Sequence, residues 1–210
     1  MSKKFAVILL GLLIFLFIAA GSTVRAEDTI QLKAGFLNYL DERIELREGV
    51  TIIRGEVTIT ALRGEYFRES REAELEQEVE MIFADGNITS SRLNALLESN
   101  RYIFRENVEF TREQEDRLII IRSPFLELNE EAKTFAARDG VEIDYDQRKL
   151  RSREADFDEE TEQMVLTEDV FIEEEDGDWI RGNRAVFFTG AEEDRFEVEG
   201  DVELEIDISS

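Results

Sequence analysis

The stretch Ile44-Glu45-Leu46-Arg47-Glu48-Gly49-Val50-Thr51-Ile52 sets apolar residues at 44, 46, 50 and 52 around the polar pair Glu48-Gly49. An even spacing of apolar positions is the period of a strand with one buried face. A polar or glycine-containing pair inside such a strand marks a bend or bulge. The unit returns at Val79, Val108, Val141, Val170 and Val202, at intervals of 29, 29, 33, 29 and 32 residues. The preceding pairs are Gln77-Glu78, Glu106-Asn107, Asp139-Gly140, Glu168-Asp169 and Gly200-Asp201. Every copy keeps an apolar or aromatic residue six and four positions before its Val and two after, from Ile44, Leu46 and Ile52 to Phe196, Val198 and Leu204.

A second signature interleaves with the first: an aliphatic residue, any residue, a small residue, and an apolar residue five further on. It reads Leu32-Ala34-Tyr39, Ile59-Ala61-Tyr66, Ile88-Ser90-Ala95, Ile121-Ser123-Leu128, Leu150-Ser152-Phe157 and Ile180-Gly182-Phe187. The first two members share one parity, and the last member and the residue two before it share the other. One uninterrupted strand would turn them to opposite faces, so the chain must bulge or turn a corner there. Each repeat is therefore two long bent strands, and six repeats give about a dozen antiparallel strands with their apolar sides facing across a fold. The lone Pro124 falls beside the small-residue corner, where a missing N–H is tolerable.

Local propensity disagrees in two places. Residues 62–82 and 92–106 are rich in Glu, Arg, Ala and Leu and would be counted as helix. The repeat overrides that count, because these stretches align with Phe- and Val-rich strands and one architecture has to serve all copies.

Composition narrows the function. The 210 residues hold no Cys and no His, which removes disulfides, thiolate chemistry, His-ligated metal sites and the common nucleophile–base pairs, and argues against an enzyme. Lys3 and Lys4 precede an uncharged apolar run over residues 5–20, followed by small residues at Val24 and Ala26. This reads as a signal peptide over residues 1–26, cleaved after Ala26, with a single domain over 27–210. An uncleaved inner-membrane anchor is the alternative; the run is short for a span of about 20 residues. Removing residues 1–26 takes away three of 25 basic residues and none of the 50 acids, leaving 22 against 50, or −28. Such a chain is a poor nucleic-acid partner, since that binding rests on neutralising phosphates.

Three constellations are set aside. Glu142-Asp144-Asp146 and the acids between Glu173 and Asp178 lack the spacing of a cation loop and read as solvated strand edges, so no metal and no cofactor is expected. The many carboxylate pairs arise by chance in so acidic a chain. The Asn87-Ile88-Thr89 sequon falls on a strand signature.

With the apolar leader, the units Ile59-Thr60-Ala61-Leu62-Arg63-Gly64-Glu65-Tyr66 and Glu48-Gly49-Val50-Thr51-Ile52 resemble the LptA/OstA-like family of periplasmic lipopolysaccharide export proteins, over nearly all of residues 30–208. The family's usual Ala-Asp is replaced by Ala61-Leu62, Ser90-Ser91, Ser123-Pro124 and Ser152-Arg153. The resemblance implies a slightly open antiparallel β-jellyroll whose apolar groove carries acyl chains, with no catalytic residue. It further implies lipopolysaccharide or a related glycolipid as ligand, and an inner-membrane ABC export complex and an outer-membrane β-barrel assembly partner on either side. The membrane-anchored LptC and the periplasmic domain of LptD share the fold, so an LptC-like role stays open. Periodicity alone admits a filled core as readily as a groove; the resemblance favours the groove. The inward positions assigned to its wall are Ile52, Ile59, Tyr66, Met81, Phe110, Ile143, Phe157 and Ile172. An unclosed jellyroll also leaves its first and last strands unpaired, which suits head-to-tail homo-oligomers. A surface-binding or purely structural β-repeat protein without lipid cargo is the competing reading.

Overall fold

The computed structural model describes residues 29–114, 117–189, 195–206 and 208; the anticipated leader, residues 1–26, lies outside them. Seven long strands come first: β1 (Ile30–Leu40), β2 (Arg43–Arg54), β3 (Val57–Phe67), β4 (Glu72–Phe83), β5 (Gly86–Leu96), β6 (Arg101–Gln114) and β7 (Arg117–Asn129). Next are the shorter β8 (Thr134–Arg138), β9 (Val141–Tyr145), β10 (Arg148–Ser152) and β11 (Glu154–Asp158). The chain ends with β12 (Gln163–Glu173), β13 (Trp179–Phe188), β14 (Arg195–Glu199) and β15 (Glu203–Glu205). β8 and β9 are two halves of one bent strand, as are β10 with β11 and β14 with β15, so the described residues form a meander of twelve antiparallel strands. The described residues are all-β, as the repeat implied. The two stretches with helical propensity lie in β3 to β6, where one face of each strand is buried and that burial outweighs intrinsic preference.

The six polar pairs make the bend. All twelve of their residues have positive φ, from 48° at Asp201 to 100° at Gly140. Where the ladder is continuous, the pair stands opposite a single residue: Arg47 pairs with Arg63 and Val50 with Ala61, leaving Glu48-Gly49 against Leu62 alone. The same two-against-one count recurs opposite Ser91, Pro124 and Asn183. Pro124 therefore sits where the ladder is already interrupted, and its missing N–H costs no rung. The extra residue also resolves the parity switch of the second signature, because the inward face passes from Ile59 and Ala61 to Gly64 and Tyr66 across the bulge.

Small residues at the corner have two causes. Ser90, Ser123 and Ser152 are buried there, each hydroxyl donating to the carbonyl two residues on, at 3.0, 2.8 and 2.8 Å. At Gly182 a Cβ would come within 2.6 Å of the Val198 side chain.

Each bent strand contributes to two half-sheets. Cross-strand pairing lines up Leu32, Ile52, Ile59, Met81, Ile88, Phe110, Ile121 and Ile143 as one inward row, running on to Leu150, Ile172 and Ile180. The other half-sheet carries two inward rows. One holds Leu46, Gly64, Leu75, Leu93, Phe104, Leu126 and Ala137; the other holds Tyr66, Ala73, Ala95, Tyr102, Leu128, Phe135 and Phe157. The half-sheets fold onto each other at the bulges, and Phe110 of the first meets Phe135 of the second edge-on, with ring centroids 5.5 Å apart.

Candidate functional site

The interior between the half-sheets collects all eight residues assigned to a groove wall. Ile52, Ile59, Met81, Phe110, Ile143 and Ile172 stand in the first half-sheet's row, and Tyr66 and Phe157 in the outer row of the second. Seven are buried, from 0% exposure at Met81 and Ile172 to 9% at Phe157, and Tyr66 is half-buried. They pack in one cluster with Leu46, Phe104, Leu126 and Leu166, so over most of its length the closed interior is filled with side chains.

The filling stops along one seam. At the open side of the fold, the turns at the far ends of the half-sheets approach one another. A cavity of about 290 Å³ remains between them, walled by Val57, Phe83, Phe110, Leu128, Phe135 and Phe157. A smaller void of about 20 Å³ continues it past Ile119 and Met164. The aromatic wall is continuous, with centroid separations of 6.0 Å for Phe83–Phe110, 5.5 Å for Phe110–Phe135 and 5.2 Å for Phe135–Phe157.

Polar contacts close this seam. One cross-strand row at the tip of the first half-sheet runs Arg54, Val57, Phe83, Gly86, Arg112, Ile119, Tyr145 and Arg148. Three arginines thus occupy the inward parity of an otherwise mostly apolar row and reach across. Arg54 donates to the Asn100 side chain. Arg112 holds Asp85 of its own half-sheet at 2.6 Å and pairs with Glu159 of the other at 3.6 Å. Arg148 lies over the Phe196 ring, 5.6 Å from its centroid.

Behind Arg54 are two polar groups taken from water, the fully buried Tyr102 and the half-buried Glu130. Burial raises the carboxyl of Glu130 above its ordinary value of 4.5, partly offset by the Tyr102 hydroxyl and the Arg54 guanidinium. Burial likewise raises the Tyr102 phenol. A carboxyl with a raised folded-state pKa weakens the fold once it ionises, so its effect grows as pH rises through and above 4.5. Glu130→Gln should therefore be more stable than the parent in chemical denaturation at pH 7. The gain should shrink as the pH falls toward 4.5; a gain independent of pH would assign it to another cause.

At both ends of the fold the inward rows run out uncovered. Leu37 and Tyr39 on the edge strand β1 are exposed, as are Leu204 on β15 and Ile206 just beyond it. The outward faces are arginine-rich. Arg105 lies over Phe125, and Arg151 and Arg181 flank the stacked pair Phe171–Trp179. Asp144, from the acidic stretch after Val141, pairs with Arg122 on this face at 2.7 Å, whereas Glu174 pairs with the seam residue Arg148 at 2.9 Å.

Sequence reasoning missed Arg54, Asn100, Arg112, Glu130 and Glu159. One signal was available. Arg54 and Arg112 keep the inward parity of Ile52 and Phe110, and a charge on the buried parity at the end of a strand is a candidate for a contact across the fold.

No family model matches the chain, and no curated protein does. Among solved structures it is similar to the crystal structure of LptH from Pseudomonas aeruginosa, described as the LptA homologous periplasmic component of the conserved lipopolysaccharide transport device. The likeness covers 87% of this chain and 97% of that one, at 9% identity and a TM-score of 0.30. At that score the functional reading rests on the chain's own residues.

Proposed function

We propose that the chain is a non-enzymatic periplasmic carrier of acyl chains, exported after removal of residues 1–26. It takes lipopolysaccharide or a related glycolipid from an inner-membrane ABC export complex and passes it toward an outer-membrane β-barrel assembly partner. The observation that carries this is the aromatic-walled cavity between two apolar rows, closed by polar contacts between turns. A core meant only for stability gains from being filled, since empty space forfeits packing. Each acyl methylene moved from water into such a space gains about 0.8 kcal/mol. The bend at six bulges gives the two half-sheets a common hinge line, and parting them along the seam would expose the eight groove residues to a chain.

The uncovered rows at both ends favour end-to-end assembly. A second copy or a partner jellyroll adding a strand to β1 or β15 would cover Leu37, Tyr39 and Leu204 and extend the interior. The acids on β15 set like charges beside each other in a homotypic contact, so association should tighten with salt.

Photo-crosslinking residues test the carrier reading in cells. At Ile52, Met81, Phe110 or Ile172 they should capture glycolipid, whereas Thr51 and Glu142, on the opposite parity, should not. Equal capture from both sets would reject an interior route.

A further inference from the structure

At the rim of the aromatic cavity, Glu159 places its carboxylate between two cations from opposite half-sheets. Its oxygens lie 3.6 Å from the Arg112 guanidinium across the seam and 2.9 Å from the Lys133 ammonium in the neighbouring turn. We infer that Arg112 and Lys133 are the site for one oxyanionic head group of an amphiphile, whose alkyl tail occupies the cavity, and that Glu159 fills this site in the closed protein.

The site has both halves an amphiphile requires. Immediately behind the two cations are Phe83, Phe110, Phe135 and Phe157, apolar and contiguous. In front, the Arg112 side chain is only 21% exposed, so its charge acts in a partly desolvated setting where an anion gains more than at an open surface. The bond from Arg112 to Asp85 at 2.6 Å fixes the guanidinium from its own half-sheet and leaves the seam-crossing contact to Glu159 as the exchangeable one. Glu159 belongs to the turn between β11 and β12, where its backbone N–H donates to the Lys133 carbonyl at 3.1 Å. The carboxylate is ionised at neutral pH, held below the usual range first by Lys133 and then by Arg112.

Replacing one carboxylate by another, or by a phosphate, leaves the charge balance at the rim nearly unchanged and breaks a contact that joins the half-sheets. Head-group binding and opening of the seam are then the same event. Glu56 and Glu130 also stand on this rim, so the two cations take one carboxylate or phosphate group of a head at a time. The inference rests on the acyl-carrier reading and adds to it a place on the protein and a charge on the ligand.

The test is calorimetric titration of the mature chain with dodecyl phosphate, laurate, dodecyl maltoside and inorganic phosphate, each amphiphile kept below its micellar concentration. Glu159→Gln removes the internal competitor and should bind the two anionic amphiphiles about tenfold more tightly, while Arg112→Gln should bind them about tenfold more weakly, the scale of one charge-assisted hydrogen bond. Dodecyl maltoside should bind both variants as it binds the parent, and inorganic phosphate should not bind. Lys133→Gln, at an exposed side chain, replaces Arg112→Gln should that variant fail to fold. Unchanged anionic affinity in Glu159→Gln, or an equal gain for dodecyl maltoside, overturns the inference. Phosphate binding as tightly as dodecyl phosphate also overturns it, by assigning the site to a free anion. Should neither anionic amphiphile bind the parent while crosslinkers at Ile52 and Phe110 still capture glycolipid, this site falls and the carrier reading stands. Failure of both removes both.

Discussion

Phe104→Ala should lower the free energy of unfolding by about 3–5 kcal/mol, a large share of the 5–15 kcal/mol typical of a domain. Phe104 is fully buried on β6, between Leu93 of β5 and Leu126 of β7 in the same inward row. Its ring sits in the middle of the second half-sheet, away from the seam cavity, where the neighbours cannot close over the space it leaves. The control is Phe125→Ala on the outward face, where the ring is half-buried beneath Arg105. There the loss should be on the order of 0.5–1 kcal/mol, the worth of an exposed cation–π contact. Urea denaturation with an unchanged m-value measures both. Equal losses for the two variants would mean that the interior is not packed at Phe104.

The second large effect belongs to the bulges. Glu106 and Asn107 have φ of 64° and 56°, in the left-handed region. A β-branched residue fits that region worst, and L-residues held there cost about 1–2 kcal/mol each. Glu106 already carries that cost and Asn107 part of it, so Glu106→Val with Asn107→Val adds the further penalty of β-branching and should destabilise by roughly 1–3 kcal/mol. The native side chains themselves add little: Glu106 makes an exposed 3.6 Å ion pair with Arg92, and Asn107 a 3.1 Å hydrogen bond to Ser91. The pair Glu106→Gly with Asn107→Gly separates backbone from side chain. Glycine adopts positive φ freely, and its extra unfolded-state entropy costs only about 0.4–1 kcal/mol per residue. That variant should stay within about 2 kcal/mol of the parent. Two glycines as damaging as two valines would place the importance of the site in the side chains.

Much of the architecture was legible because it follows from period two and from interruptions of period two. The valines at 50, 79, 108, 141, 170 and 202 announce the repeat, and the pairs before them are the residues with positive φ. Even the odd step from Ala61 to Gly64, which alternation alone cannot accommodate, pointed to the corner that the extra residue opposite Leu62 creates. Gly64 stands in an apolar row because a Cβ there would lie 2.4 Å from the Leu75 side chain and 2.5 Å from the Glu74 carbonyl. Parity alone picked the inward face of the eight positions assigned to a groove wall, and all eight lie on inward rows.

How closely the half-sheets approach was not legible. Parity tells which face a residue takes and says nothing of the distance to the opposite face, so a filled interior and an open groove share one pattern. The seam escaped for a related reason. Arg54 meets Asn100 and Arg112 meets Glu159 over more than forty residues of chain, at strand ends and turns where alternation carries no information. Glu130 was invisible as well, since an acid in a turn reads as solvated until the opposing turn covers it.

The most direct measurement is nuclear magnetic resonance on protein labelled at isoleucine methyl groups and mixed with a glycolipid of the lipopolysaccharide class. Ile52, Ile88 and Ile121 face the interior from β2, β5 and β7, while Ile53, Ile82 and Ile120 lie on the outward faces of β2, β4 and β7. The expected result is intermolecular nuclear Overhauser effects from acyl methylenes to the inner three methyls and none to the outer three. Contacts to Ile53, Ile82 and Ile120, or no acyl contact to any inner methyl at saturating lipid, would contradict carriage through the interior.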